Sequence, residues 1–151
     1  MKYVHISLMK ARSDPFQELL FRLAHRFRCA ILRSNPRTGR LITLRDFPVG
    51  ACGDASLLLA KYLQVNGCGR PLYIVGKRNG LIHAWLQLGD LTIDITADQF
   101  DDQDAGVIVS AESAWHLSFN GKIYSVADFC LYDQLSAFEL TKAYKVITRS
   151  L

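Results

Sequence analysis

Gly50-Ala51-Cys52-Gly53-Asp54-Ala55-Ser56 sets a cysteine at the head of a helix-forming stretch, directly after a glycine-bearing turn. The first N–H groups of a helix have no partner within it and carry positive potential, which favours thiolate over thiol. The same groups can bind the oxyanion of a tetrahedral intermediate, and flanking glycines let a substrate backbone come close. A second chemical residue, His83, stands in Leu81-Ile82-His83-Ala84-Trp85-Leu86-Gln87-Leu88, where strand alternation puts His83, Trp85 and Gln87 on one face. If Gly89 and Asp90 form the next turn, Leu88 opposes Leu91, Trp85 opposes Asp94 and His83 opposes Thr96. Asp94 is then the diagonal neighbour of His83 across the hairpin, at roughly 7–8 Å between backbones, a span the two side chains can close. A one-residue slip of register would destroy that pairing. Each residue alone has a plainer reading: a packed free thiol, a packed or solvated strand histidine, a solvent-facing aspartate between Ile93 and Ile95. Together, Cys52 as nucleophile, His83 as base and Asp94 as orienter supply the set that acyl transfer through a thioester needs.

Other reactive residues fit chemistry less well. His25 and Cys29 stand four apart on a helix and lack a second pair, so packing is preferred to a metal site. The four cysteines, Cys29, Cys52, Cys68 and Cys130, show neither a C-x-x-C pair nor tight even spacing. That argues against a zinc ribbon and a secreted disulfide framework, and for free thiols in a reducing compartment. His116, beside Trp115, competes with His83 as base but lacks a carboxylate placed as Asp94 is. Gln99 can donate to an oxyanion only if the chain turns back. Asp98, Asp101, Asp102 and Asp104 lack the glycine and terminal Glu of a calcium loop and read as a solvated acidic segment. No metal and no cofactor is expected.

These residues must be positioned by regular elements. Asp14 caps a helix with Pro15 in its first turn and Gln17 completing a capping box; Phe16, Leu19, Leu20, Leu23, Ala24, Phe27 and Ile31 recur at helical spacing. It should end before Asn35-Pro36. Residues 34–50 read as a loop with a short strand at Leu41–Leu44. A second helix runs from near Ala51 to Gly67, with Ala55, Leu58, Leu59, Tyr62 and Leu63 as its apolar stripe. Strands are predicted at Leu72–Lys77, Leu81–Leu88 and Leu91–Thr96, joined by Asn79-Gly80 and Gly89-Asp90 turns. Val107–Ser110 and Trp115–Phe119 add further strands. Ser125 and Asp128 open a C-terminal helical region carrying Phe129, Leu135, Phe138, Leu140 and Tyr144. This order gives an α+β domain covering 1–151 as one unit.

The 151 residues are half hydrophobic and about a fifth charged, which excludes a disordered chain. No apolar run of eighteen residues suggests a membrane span, and residues 1–10 lack an export signal's apolar core, so a cytoplasmic protein is expected. Net charge is +4, but residues 1–50 carry ten Lys and Arg against three acids, +7, and the remainder −3. Arg22, Arg26 and Arg28 on the first helix read foremost as a solvated face, and otherwise as a means of meeting an acidic partner. No nucleic-acid motif accompanies them.

The trio resembles the transglutaminase-like branch of the papain-like superfamily: Gly50 to Ala60 is similar to its nucleophile helix, His83-Ala84-Trp85-Leu86 to its histidine strand, and Ile93-Asp94-Ile95-Thr96 to its aspartate strand. The likeness covers about residues 48–100. It implies a helix packed on an antiparallel sheet, with Cys52 as nucleophile, His83 as general base and acid, and Asp94 holding the imidazole tautomer. It also implies a protein or peptide substrate, attacked at a glutamine side chain or isopeptide, with peptide cleavage as the alternative. A catalytically inactive binding module of the same fold is the reading from another class. Papain-like proteases carry a glutamine shortly before the cysteine to complete the oxyanion hole; here that stretch reads Leu44-Arg45-Asp46-Phe47. The size is similar to small bacterial deamidase effectors and microbial peptidases, which implies action in the cytoplasm of its own cell or, for an effector, of another.

Overall fold

The computed structural model describes residues 14–34 and 42–151. Helix α1 spans Pro15–Arg33, and Asp14 caps it by accepting the Phe16 N–H at 3.1 Å. The capping box does not form. Gln17 Nε2 instead donates to the Val109 carbonyl at 2.8 Å, tying the helix to the sheet edge. In place of the short strand, Ile42–Leu44 form a 3₁₀ turn that buries Leu44; Leu41 lies outside the described residues.

Helix α2, Cys52–Val65, ends at Asn66, with Gly67 following at a φ of 75°. Its expected stripe is buried, but so are Ser56, Leu57 and Ala60. A helix covered on nearly all sides is a core helix, and α2 packs on the sheet, on α1 and on the C-terminal helix α4, Gln134–Thr148.

Five strands, β1 Leu72–Arg78, β2 Leu81–Leu88, β3 Leu91–Asp94, β4 Ile108–Ser110 and β5 Lys122–Val126, form one antiparallel sheet in the order β4-β3-β2-β1-β5. Asn79 and Gly80 both have positive φ, as a type I′ hairpin requires, and Gly89 opens the second hairpin at a φ of 60°. Leu88 opposes Leu91, the register that the turn chemistry dictates.

Downstream of β4 the expectations need correction. Trp115–Phe119 is no strand: Ala114–Leu117 form a short helix, α3, capped by Ser113. Ser125 does not open a helix but lies in β5, where Ile123, Tyr124 and Val126 suit an edge strand laid on β1. Asp128 caps a 3₁₀ turn at Phe129–Leu131, and Asp133 caps α4.

The sheet has two unlike faces. One packs against α1, α2 and α4 in a core that includes Phe27, Ile31, Leu58, Leu63, Leu86, Ile93 and Leu140. The other carries a smaller cluster of Ile74, Trp85 and Phe119, with Phe100 and Trp115 against it. Rings lie directly on backbone here. A Cβ on Gly121 would meet Trp85 at 2.5 Å, and one on Gly76 would meet the Phe119 carbonyl at 2.7 Å. No helix among the described residues is long and apolar enough to cross a membrane.

Candidate active site

Alternation along β2 turns Leu86 toward α2 and sends His83 and Trp85 to the aromatic face. Strand β3 pairs with β2 only from Leu86↔Ile93 to Leu88↔Leu91, and then the two part. The cause is Asp94. Its Oδ1 accepts the Thr96 N–H at 2.8 Å and the Thr96 hydroxyl at 3.1 Å, an aspartate turn that replaces the next rung of the ladder. For this reason the strand anticipated as far as Thr96 stops at Asp94. The other oxygen, Oδ2, lies 2.6 Å from His83 Nε2. Cys52, the first residue of α2, lies beside the same imidazole, close enough for thiol and imidazole to shift one another's protonation. Cys52, His83 and Asp94 are thus brought together, with His83 and Asp94 buried and Cys52 half-buried.

The charges of this group reinforce one another. Burial disfavours a thiolate at Cys52, but the neighbouring His83 outweighs it, and the thiol pKa falls below its ordinary value. Burial also opposes protonation of His83, yet Asp94 and Cys52 raise its pKa to about 9. Asp94 is buried too. The hydrogen bonds from His116 and His83 nevertheless hold its carboxyl well below the usual range. All three directions favour thiolate, imidazolium and carboxylate. Ala51 gives the first turn of α2 no side-chain cap, and Asp54 bonds the Thr43 hydroxyl instead, so among the described residues no side chain caps the N–H groups beside the thiol.

No known protein family, characterised protein or solved structure matches the chain. The chemistry therefore has to be read from the residues themselves, and the structure adds to the sequence reading of several of them. His116 does have a carboxylate, and it is Asp94: Nε2 lies 2.8 Å from Oδ2, while Nδ1 lies 2.6 Å from Ser113 Oγ. It joins His83 on the carboxylate and does not replace it against Cys52. Gln99 does turn back, on a 3₁₀ turn at Ala97–Gln99. Its Oε1 accepts the Gly50 N–H at 3.3 Å, and its Nε2 donates to the Thr96 carbonyl at 3.1 Å and stands 3.5 Å from His83 Nδ1. Arg28 is no solvated charge: its guanidinium bonds Asp98 at 2.7 and 2.8 Å and the carbonyls of Ile95 and Gly106. Nor is the acidic segment wholly solvated, since Asp98 takes Arg28 and Asp102 takes Arg78.

Tyr73 carried no signal in the sequence. Its hydroxyl would lie 3.0 Å from a Cβ on Gly53, which puts it at the start of α2. Burial, with the charge of Cys52, keeps that hydroxyl protonated well above the usual phenol range.

His83, Asp94 and His116 also offer ligand atoms within 4.8 Å of one another, a spacing that a cation could use. However, both imidazoles converge on one carboxylate oxygen at hydrogen-bond length while Thr96 holds the other, so the carboxylate's acceptor sites are already filled. His25 and Cys29 lie 3.9 Å apart with no third donor among the described residues.

Proposed function

We propose that the chain is a cysteine-dependent acyl-transfer enzyme acting on amide bonds, built on a transglutaminase-like arrangement of the papain-like kind. One observation carries the reading: the His83 imidazole lies beside the Cys52 thiol at a helix start and bonds a buried carboxylate through Nε2. In the mechanism, Cys52 Sγ attacks the amide carbonyl carbon. The oxyanion that forms is met by the Cys52 N–H and by Gln99 Nε2, which supplies the donor missing from Leu44–Phe47. His83 gives its proton to the leaving nitrogen, ammonia or an amine departs, and a thioester remains. Neutral His83 then takes a proton from water or from an acceptor amine, which attacks the thioester and releases Cys52. Asp94 keeps Nε2 protonated throughout, so the nitrogen facing the reaction is the one that exchanges protons.

A protein glutamine side chain or isopeptide is the favoured substrate, on the resemblance of His83-Ala84-Trp85-Leu86 to the transglutaminase-like histidine strand. Peptide cleavage is the second reading, and Gln99 favours it: once a downstream glutamine stands beside Gly50, the missing upstream one no longer argues against a peptidase.

The test incubates wild type, Cys52→Ala and Asp94→Asn with glutamine-rich proteins and follows ammonia and intact mass. Deamidation gives ammonia and about 1 Da per site, abolished in Cys52→Ala and slowed on the order of a thousand-fold in Asp94→Asn. Backbone fragments without ammonia make the protein a peptidase. Equal outcomes with wild type and Cys52→Ala reject the enzyme reading.

A further inference from the structure

Asp94 serves two histidines, and a triad uses only one of them. The second, His116, is buried, and its Nε2 lies 2.8 Å from the Oδ2 that His83 Nε2 approaches at 2.6 Å. Its ring stacks near His83 at 6.0 Å and is enclosed by Trp85 and Trp115. Asp94, which only accepts, fixes which nitrogen carries the proton: Nε2–H points at its Oδ2, and Ser113 Oγ, 2.6 Å from the bare Nδ1, donates to it. The same serine caps α3, so the helix that replaced an anticipated strand is what delivers this imidazole.

We propose that His116 is a positioning residue for the candidate triad. Its Nε2–H anchors Asp94 and takes up part of the carboxylate's charge, so that His83 is oriented without its proton being held too tightly. The physical argument is competition at one oxygen. An N–H donated to a carboxylate lowers its basicity and weakens its attraction for a second partner. Without His116, Asp94 would pull harder on the Nε2 proton and so raise the affinity of the whole imidazole for its second proton, the one at Nδ1 that the leaving amine must receive. Such a group touches neither substrate nor nucleophile and still sets how readily His83 acts as an acid. The purpose assigned to His116 rests on the acyl-transfer reading; the hydrogen-bonded pair itself does not.

The groups facing the pair come from every side. Cys52 lies on α2, Asp94 on β3 and Ser113 at α3, while Asp90 and Glu112 border a cleft of about 700 Å³ that His116 also lines. Arg78 lies over the Trp115 ring and pairs with Asp102. Among the described residues only Asp94 is hydrogen-bonded to both imidazoles, so it is the group through which a change at His116 reaches His83.

The test is a histidine ¹⁵N NMR titration of the whole chain, wild type beside His116→Gln and His116→Phe. It needs no substrate, so failure of the proposed activity and failure of this inference are separate results. In wild type at pH 8, His116 should show Nε2 protonated and Nδ1 bare. His116→Phe, which removes the donor, should raise the His83 midpoint by about one pH unit, and His116→Gln, which keeps an N–H, should bring it back toward wild type. Should the first variant not fold, the wild-type tautomer and the glutamine variant still decide. A bare Nε2 on His116, or a His83 midpoint unmoved in the phenylalanine variant, would overturn the proposal.

Discussion

A thiol that ionises inside a protein needs a cation close by, and Cys52 has one in His83. Because the His83 pKa is raised from 6.5 to about 9, its charge contributes stability in full below about pH 6.5, and that contribution is lost as pH rises through 9. The imidazolium that favours the thiolate should therefore persist across neutral pH. Iodoacetamide should modify Cys52 near pH 6 at least about ten times faster than Cys29, Cys68 or Cys130, an advantage removed by His83→Ala. Even labelling of all four, rising only above about pH 8.5, would point to a binding module without a working nucleophile. At this scale the His83–Asp94 pair was legible, because turn chemistry fixes the strand register that brings the two side chains together. Gln99, Tyr73 and the partnership of His116 were not, since each contact joins segments whose meeting depends on tertiary path.

At the level of elements, turn chemistry and periodicity spoke for α1, α2 and the two hairpins, and the structure follows them closely. They misled where a local signal competed with a packing demand. Ser125 with Asp128 resembles a helix start, yet Ile123 and Tyr124 beside it complete the sheet. The aromatic face shows how tight that demand is. Gly121→Ala would press a methyl group into Trp85, with contacts at 2.5 and 2.6 Å, and should lower stability by about 1–3 kcal/mol. Urea unfolding should show the midpoint falling with an unchanged slope. An unaltered midpoint would mean that Trp85 moves aside freely and that the face is less closely packed than described.

Across the whole molecule, Arg28 links the first helix to the chain that forms the site. It holds the Ile95 and Gly106 carbonyls at 2.6 and 2.9 Å, grips both oxygens of Asp98 and lies over the Phe47 ring at 5.2 Å. Gln99 sits within that clamped segment. A lysine supplies one point charge where the guanidinium makes a fork. Arg28→Lys should cost about 1–3 kcal/mol and speed amide hydrogen exchange across residues 95–106. Exchange there at the wild-type rate would show that the segment holds itself. Nothing in composition distinguished this arginine from Arg22 and Arg26, which are exposed as the sequence suggested. The two faces of the sheet also differ in what light can see. Both tryptophans of the chain, Trp85 and Trp115, lie on the aromatic face, with ring centres 5.6 and 5.5 Å from His83. Indole emission is quenched by a protonated imidazole in contact with it. The protein therefore carries a fluorescent indicator wired to its two buried imidazoles, His83 and His116, while its helical layer, which holds no tryptophan, is read by far-ultraviolet dichroism.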